Sequence, residues 1–338
     1  MSSNRHSDVR DVSGQQRPGG GKRVLHVVSV SGGKDSAATL LLALERFDPR
    51  TVRAIFCDTG NEHQETYDYL SYLEQALDIS ITRLRADFSL QILRKRMFIA
   101  RDQRTRRDSS GRRVRWSNKA KRRALAVLYP SGNPFLDLCL WKGRFPSRKA
   151  QFCTEELKRN IAVEHQLALI DTGHIVVSWQ GVRRDESMNR RNVKRFEASG
   201  GGLYSFRPIA DWTAEDVFAY CAANGIRPNP LYRQGMTRVG CMPCINVNKG
   251  ELRQIAQRFP EHPARIAEWE RLVGAASKRG FSTFMTDAHD AQDRRKVFAD
   301  LNIWSRIEWA KTTRGGQQYN LLPLPESSQC SSAYGLCE

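Results

Sequence analysis

Hydrophobic positions fall into short blocks along the first half of the chain, and their spacing switches between two periods. Val24-Leu25-His26-Val27-Val28-Ser29-Val30 is a near-continuous β-branched run, the pattern of a strand buried on both faces. Residues 35 to 46 then read as a helix, Val52 to Cys57 as a second strand, Glu62 to Leu77 as a second helix and Ile79 to Leu84 as a third strand. This β-α-β-α-β order predicts an α/β fold built on a doubly wound parallel sheet with right-handed crossovers. The alternation pauses between about 88 and 150. There, helical pieces flank a Ser109-Ser110-Gly111 break, and a Pro/Gly-rich stretch runs from Pro130 to Pro146. An insertion on the sheet's ligand edge is expected. The alternation resumes with a helix over Glu155 to Leu169, a strand over His174 to Gln180 and another near Leu203 to Phe206. A further helix starts at the N-cap Thr213 and stops at Gly225.

Three regions follow from this pattern. Residues 1 to 22 are polar, Gly-rich and free of aromatics, so they read as a disordered tail. Residues 23 to 227 read as a nucleotide-binding domain carrying the insertion. Residues 228 to 338 read as a Cys-containing, partly helical region, with a helix or two between Gly250 and Arg279 and a mostly irregular tail. No internal repeat is visible.

Composition narrows the class. With 338 residues the chain buries a sizeable core without disulfides. Its eight cysteines are spread widely and follow no apolar leader, which points to a reducing, cytoplasmic setting. No stretch approaches the roughly 18 apolar residues of a membrane span, so no membrane partner is expected. The charge is uneven. Lys+Arg number 54 against 36 Asp+Glu, a net +18, and Arg94 to Arg123 alone holds fourteen basic residues and two acidic ones, Asp102 and Asp108. A local basic patch suits a polyanion such as DNA or RNA; a solvated helical face is the plainer reading.

The strand, Ser31-Gly32-Gly33-Lys34-Asp35-Ser36 and the helix after it together prescribe an anion site. Two glycines let the backbone approach an oxyanion, and the helix N-terminus favours negative charge there. Lys34 adds a point charge, and the Ser31 and Ser36 hydroxyls can bond phosphate oxygens. The spacing is that of neither the P-loop NTPases nor the dinucleotide fingerprint.

Several stretches jointly resemble the phosphoadenosine phosphosulfate reductase family of the PP-loop superfamily. They are Ser31 to Ser36; Asp58-Thr59-Gly60-Asn61-Glu62 with Glu65; Phe152-Cys153-Thr154 with Lys158; Gly181-Val182-Arg183-Arg184-Asp185-Glu186-Ser187 with Arg190; and Asn229-Pro230-Leu231-Tyr232 leading to Gly240-Cys241-Met242-Pro243-Cys244. The resemblance implies ATP or a related adenine nucleotide bound by Ser31 to Ser36, Asp58, Thr59, Gly60, Lys158, Gly181, Arg183, Glu186 and Ser187. Lys34, Asp58, Arg183 and Arg190 are the implied catalytic residues. Asp58, at the carboxyl edge of the second strand, is expected to hold Mg²⁺ or orient the nucleotide; a helix N-terminal acid is the alternative. Surface arginines are the alternative for Arg184 and Arg191.

The Cys241-x-x-Cys244 pair reads as a two-ligand knuckle. The resemblance adds Cys153 as an upstream cluster ligand, although a single Cys-Thr stands where a Cys-Cys pair is usual. With Cys330 or Cys337 as fourth ligand, a [4Fe-4S] cluster becomes expected, and Zn²⁺ is the alternative. Cys57, Cys139 and Cys221 lie in apolar stretches and read as small buried hydrophobes. Three functions compete. One is nucleotide activation with pyrophosphate release and sulfur transfer, with a sulfur-donor protein as an expected partner; the single upstream cysteine also resembles the arrangement in the DNA-phosphorothioation sulfur-transfer branch. Another is sulfonucleotide reduction, although the family's C-terminal Glu-Cys-Gly-[Ile/Leu]-His motif is absent. The third is a nucleic-acid-binding Fe-S protein without catalysis.

Overall fold

The computed structural model describes residues 22–112, 114–285 and 301–312. The expected tail falls almost wholly outside the described residues, as do Cys330 and Cys337. Six strands form one sheet: β1 Val24–Ser29, β2 Val52–Asp58, β3 Ile81–Arg85, β4 Ile175–Trp179, β5 Phe196–Gly200 and β6 Leu203–Phe206. Their order is β3-β2-β1-β4-β6-β5. All neighbours run parallel except β5 against β6. Helices α1 Lys34–Arg46 and α2 Gln64–Leu77 follow the first two strands. After β3 come α3 Ser89–Arg101, α4 Asn118–Val127 and α5 Pro134–Lys142. A short turn, α6 Phe152–Thr154, widens into a π-helical turn over Glu155–Arg159 and continues as α7 Asn160–Asp171. Helix α8 is Ala214–Ala223 and α9 the single turn Pro230–Arg233. Helices α10 Lys249–Arg258, α11 Glu261–Ala276 and α12 Ile303–Lys311 complete the described chain.

Two layers sandwich the sheet. On one face Leu40, Leu42 and Ala43 of α1 pack with Leu70 and Leu73 of α2, Val217 of α8 and Trp179 of β4. On the other, Val27, Ile55, Cys57 and Val176 meet Ala162 of α7. At ~1.5–3 kcal/mol for each fully buried large aliphatic side chain, these contacts lock the strand order. A second apolar cluster joins α3, α4 and α5 to α10, α11 and α12, with Phe135 stacked on Trp269 at 5.6 Å.

Several elements differ from expectation. The Pro/Gly-rich stretch contains α5, because Pro134 sits at the first helical position and Asn133 Oδ1 accepts from Leu136 N at 3.0 Å. There proline starts a helix rather than breaking one. Strand β5 carries no apolar alternation and forms through pairing with β6 across Gly200, Gly201 and Gly202, all with positive φ. Helix α12 occupies a stretch expected to be irregular; Asn302 caps it and Ile303 and Ile307 bury its inner face. Helix α8 matches its expectation, with a full capping box between Thr213 and Asp216.

Candidate functional site

Strand β1 ends against the sheet's crossover point, between β2 on one side and β4 on the other, which is where open α/β sheets leave a crevice at their carboxyl ends. The loop there is tight. Gly32 takes φ +83°, and a Cβ on it would stand 2.8 Å from Thr66 Cγ2. Gly33 caps α1 with extended backbone and no side-chain cap, leaving the helix N-terminus facing the crevice as an anion-favouring end. Ser31 and Ser36 brace the loop: their hydroxyls lie 3.1 Å apart, and Ser36 Oγ donates to Gly33 O at 2.9 Å. Tyr232 closes it, its hydroxyl accepting from Lys34 N at 3.1 Å, while Asn229 Nδ2 donates to Gly32 O at 3.2 Å.

Behind the loop lies a charge relay of fixed geometry. Asp35, fully buried, pairs through Oδ2 with Lys34 Nζ at 3.0 Å and through Oδ1 with Arg183 Nε at 2.9 Å. Arg183 also pairs with Asp185 at 2.5 Å. Burial works against the Arg183 charge, but Asp35, Asp185 and Glu186 outweigh it and hold the guanidinium more firmly protonated than usual. Gly181, just past β4, is where that strand meets α1: a Cβ would stand 2.9 Å from the Asp35 backbone and 3.0 Å from Ser36 N. Arg190 is buried and ion-paired with Glu186, whose carboxyl burial pushes upward against the pull of Arg190. Ser187 Oγ is buried without a hydrogen-bond partner. Arg184 instead pairs with Asp211 and donates to Val193 O, a surface brace outside the crevice.

The β2 loop supplies the crevice's other wall. Asp58 Oδ1 accepts from Gly60 N and from Tyr67 Oη, each at 2.8 Å, and its Oδ2 lies 3.9 Å from Arg85 Nε. Gly60 takes φ +73° beneath Asn133, whose Nδ2 donates to Gly60 O at 2.7 Å. The insertion therefore touches the β2 loop directly. Glu62 is buried and accepts from Thr59 Oγ1 at 2.7 Å and from Tyr67 Oη at 3.3 Å. The π-helical turn brings buried Lys158 to a narrow cleft with Ser31, Cys57, Glu62 and Gly240. The roles of Tyr67 and Asn133 escaped the sequence, because tertiary contacts alone bring them to the loops, while Tyr232 stood in a stretch carrying the family resemblance with no contact assigned to it.

The cysteine donors are partly assembled. Cys241 Sγ donates to Glu62 Oε1 at 3.7 Å and lies 3.3 Å from Thr59 Oγ1. Burial first, then Glu62, drive its thiol well above the ordinary range. Cys244 Sγ accepts from Asn246 N at 3.5 Å. Tetrahedral zinc draws its sulfurs to within ~4 Å of one another; among the described residues Cys153, Cys241 and Cys244 form no such group. The donors as placed do not fit a zinc centre, and Cys241 is engaged by Glu62. Cys57, Cys139 and Cys221 are buried, as small apolar residues are. One other donor group, His63, Glu261 and His262, has its atoms within 4.8 Å. His63 Nδ1 there caps α2 and His262 Nδ1 faces Arg265 Nη2 at 2.8 Å, so the Nε2 atoms are the donors left toward Glu261, His262 Nε2 lying 3.7 Å from Glu261 Oε1.

Twelve of the fourteen basic residues of the segment fall into two sets. Lys95, Arg96, Arg107, Lys121 and Arg123 donate to backbone carbonyls, and Arg104 pairs with Asp102. Of these, Lys95, Arg96, Lys121 and Arg123 tie neighbouring helices, whereas Arg104 and exposed Arg107 brace only their own loop. Arg94, Arg101, Arg106, Arg112, Lys119 and Arg122 are exposed. No helix among the described residues is long and apolar enough to cross a membrane.

Residues 25–247 match the family model of the phosphoadenosine phosphosulfate reductase domain. The chain is 47% identical over 327 residues to an uncharacterised 37.8 kDa protein of Escherichia phage 186, covering 93% of this chain and 97% of that one. It is 42% identical over 73 residues to an adenosine 5'-phosphosulfate reductase of Neisseria meningitidis, covering 21% and 30%. A phosphoadenylyl-sulfate reductase structure from Candida auris, a phosphate complex, superposes with a TM-score of 0.38 at 16% identity, covering 65% of this chain and 82% of that one. With its family model spanning both loops and the Cys241–Cys244 knuckle, the chain belongs to the phosphoadenosine phosphosulfate reductase domain family.

Proposed function

We propose that this protein is an enzyme that binds ATP, releases pyrophosphate and leaves an adenylylated acceptor ready for sulfur transfer. The observation behind this reading is Asp35, buried in the first turn of α1 beside the glycine loop and paired with both Lys34 and Arg183. In the proposed step an acceptor oxygen attacks the α-phosphorus, the bond from that phosphorus to the bridging oxygen breaks, and pyrophosphate departs. Its developing charge is met by Lys34, Arg183 and the loop amides, so catalysis is positioning and charge neutralisation. Mg²⁺ would add neutralising charge at Asp58. The outer sulfur of a persulfide on a sulfur-donor protein then displaces AMP, and a second thiol attacks the resulting disulfide at the donor's sulfur, leaving the acceptor with its thiol and the two donor-side sulfurs joined as a disulfide. The exposed cations Arg94, Arg101, Arg106, Arg112, Lys119 and Arg122 suit a polyanionic acceptor such as DNA or RNA.

Sulfonucleotide reduction is the second reading, favoured by the name of the Neisseria relative. One assay separates the two. Purified protein is given ATP with duplex DNA, with tRNA or with no polymer, and separately adenosine 5'-phosphosulfate with a thiol. The first reading expects pyrophosphate from ATP, abolished by Lys34→Ala and by Asp58→Ala; sulfite without pyrophosphate supports the second.

A further inference from the structure

The sheet face beneath α7 changes chemistry along three strands. Toward the carboxyl edge, Val27 gives way to Ser29 on β1, Val176 to Ser178 and then Gln180 on and just past β4, and Leu203 to Ser205 on β6. The apolar members pack under Ala162 and Ile170. The polar members line a cavity of about 220 Å³ roofed by Ala162, Val163 and Gln166, with Arg159 among its walls.

This polarity is costly as it stands. Ser29, Gln166, Ser178, Gln180 and Ser205 are each at most 4% exposed. Burying amides and hydroxyls costs ~1–3 kcal/mol apiece unless hydrogen bonds replace water. Some are satisfied: Gln166 Nε2 donates to Ser178 Oγ at 3.0 Å, and Ser199 and Ser205 hydroxyls lie 3.3 Å apart. Gln180 is not. Its Nε2 reaches Ser205 Oγ only at 3.5 Å, and its Oε1 is buried with no partner. Buried side-chain oxygens rarely go unpaired, and the cavity beside this one has room for the missing donor.

The geometry points to a second ligand slot, between α7 and strands β1, β4 and β6, for a flat heterocycle with adjacent donor and acceptor, as on a nucleobase edge. A side-chain amide presents one N–H and one C=O in a plane, which matches such an edge. The Ala162 and Val163 side chains offer the apolar cover that a ring plane takes. Ser29 lines both this slot and the narrow cleft beside the phosphate loop, so the two compartments adjoin. The slot rests on the reading of the loop only for the source of its occupant: the base of the nucleotide on the loop, or a base of a separate acceptor.

The test is titration of adenosine, guanosine, cytidine and uridine, followed by calorimetry, into the full chain and its Gln180→Leu and Ser205→Val variants. Pyrophosphate is titrated in parallel as a probe of the loop and of folding. At least one nucleoside should bind the parent and bind Gln180→Leu at least tenfold more weakly, with pyrophosphate affinity unchanged. Ser205→Val gives the second reading should Gln180→Leu fail to fold. A nucleoside excluded by a non-hydrolysable ATP analogue marks the slot as belonging to the loop's own nucleotide; one that binds alongside it marks a separate acceptor. The slot is overturned if no nucleoside binds while pyrophosphate does, or if both variants bind as tightly as the parent. Failure of pyrophosphate itself to bind the parent overturns the loop reading instead.

Discussion

Asp35 Oδ1 and Arg183 Nε meet at 2.9 Å across 148 positions of sequence, and both residues are at most 5% exposed. The carboxylate's other oxygen holds Lys34. One buried anion therefore fixes two cations on either side of the crossover point. Asp35→Asn keeps the shape but removes the charge that balances them. Breaking one partner of a buried pair costs ~3–5 kcal/mol; with Asp185 still paired to Arg183, the low end is expected. Denaturant unfolding should show that loss, and pyrophosphate affinity should fall at least tenfold. Unchanged affinity would refute the pairing's role in binding.

Gly181→Ala places a methyl against the Asp35 backbone and Ser36 N, at 2.9 and 3.0 Å. Backbone cannot swing aside as a side chain can, so the start of α1 must shift. Overpacking of this kind costs ~1–3 kcal/mol. Nucleotide binding should suffer more than stability does, because the displaced segment is the phosphate loop itself. Isothermal titration beside a thermal melt separates the two effects.

Cys241 should be a sluggish nucleophile. Burial and the Glu62 carboxylate disfavour its thiolate, and the thiolate is the reactive form. Labelling with a disulfide reagent at pH 8, read by mass spectrometry, should modify Cys241 slowly in the parent and faster in Glu62→Gln. Equal rates would show that Glu62 does not hold the thiol. Iron, sulfide and zinc analysis of the same anaerobic samples tests the cluster reading of Cys153, Cys241 and Cys244.

The exposed cations of the insertion predict a salt-dependent contact with nucleic acid. If Z of them neutralise phosphates, log K falls with log salt at a slope near −0.9Z on duplex DNA. Changing Arg94, Arg101, Arg106, Arg112, Lys119 and Arg122 to Gln should flatten that slope by several units and leave ATP binding intact. Changing Lys95, Arg96 and Arg123 instead should destabilise the fold, since these donate to carbonyls of neighbouring helices. An unaltered slope in the first set removes the nucleic-acid contact from the proposal.

Glu270 gives the helical cluster a pH dependence. It accepts from Phe284 N at 2.8 Å and Ile303 N at 3.1 Å, yet burial lifts its carboxyl from 4.5 to about 7. A folded-state value above the unfolded one means the folded protein holds the proton more tightly. Its stabilising share is then full below about 4.5 and is lost as pH rises toward 7, by at most ~3 kcal/mol. Glu270→Gln should flatten this part of the stability–pH curve between pH 5 and 7, as measured by urea unfolding.

The strand and helix periods determined the parallel α/β core, because each buried element writes its own pattern locally. Val24 to Ser29 could only be an inner strand, and Gly32-Gly33 could only be a tight turn at a helix start. The same local logic singled out Lys34 and Asp58 at strand ends, whereas the family resemblance supplied Lys158 and the role given to Arg183. What tertiary structure decided was partnership. Nothing near Asp35 says that its carboxylate reaches Arg183, nor near Glu62 that it meets Cys241, because those contacts exist only once β4 and the knuckle are folded against the loops. Strand β5 lacked a legible pattern, since an exposed edge strand needs no apolar face. The basic run misled in part, because charge composition counts cations without showing which carbonyls they satisfy. The polar slot under α7 was hidden for a related reason. Each of its strands contributes only one or two polar residues, and the cavity arises from their alignment across three strands far apart in sequence.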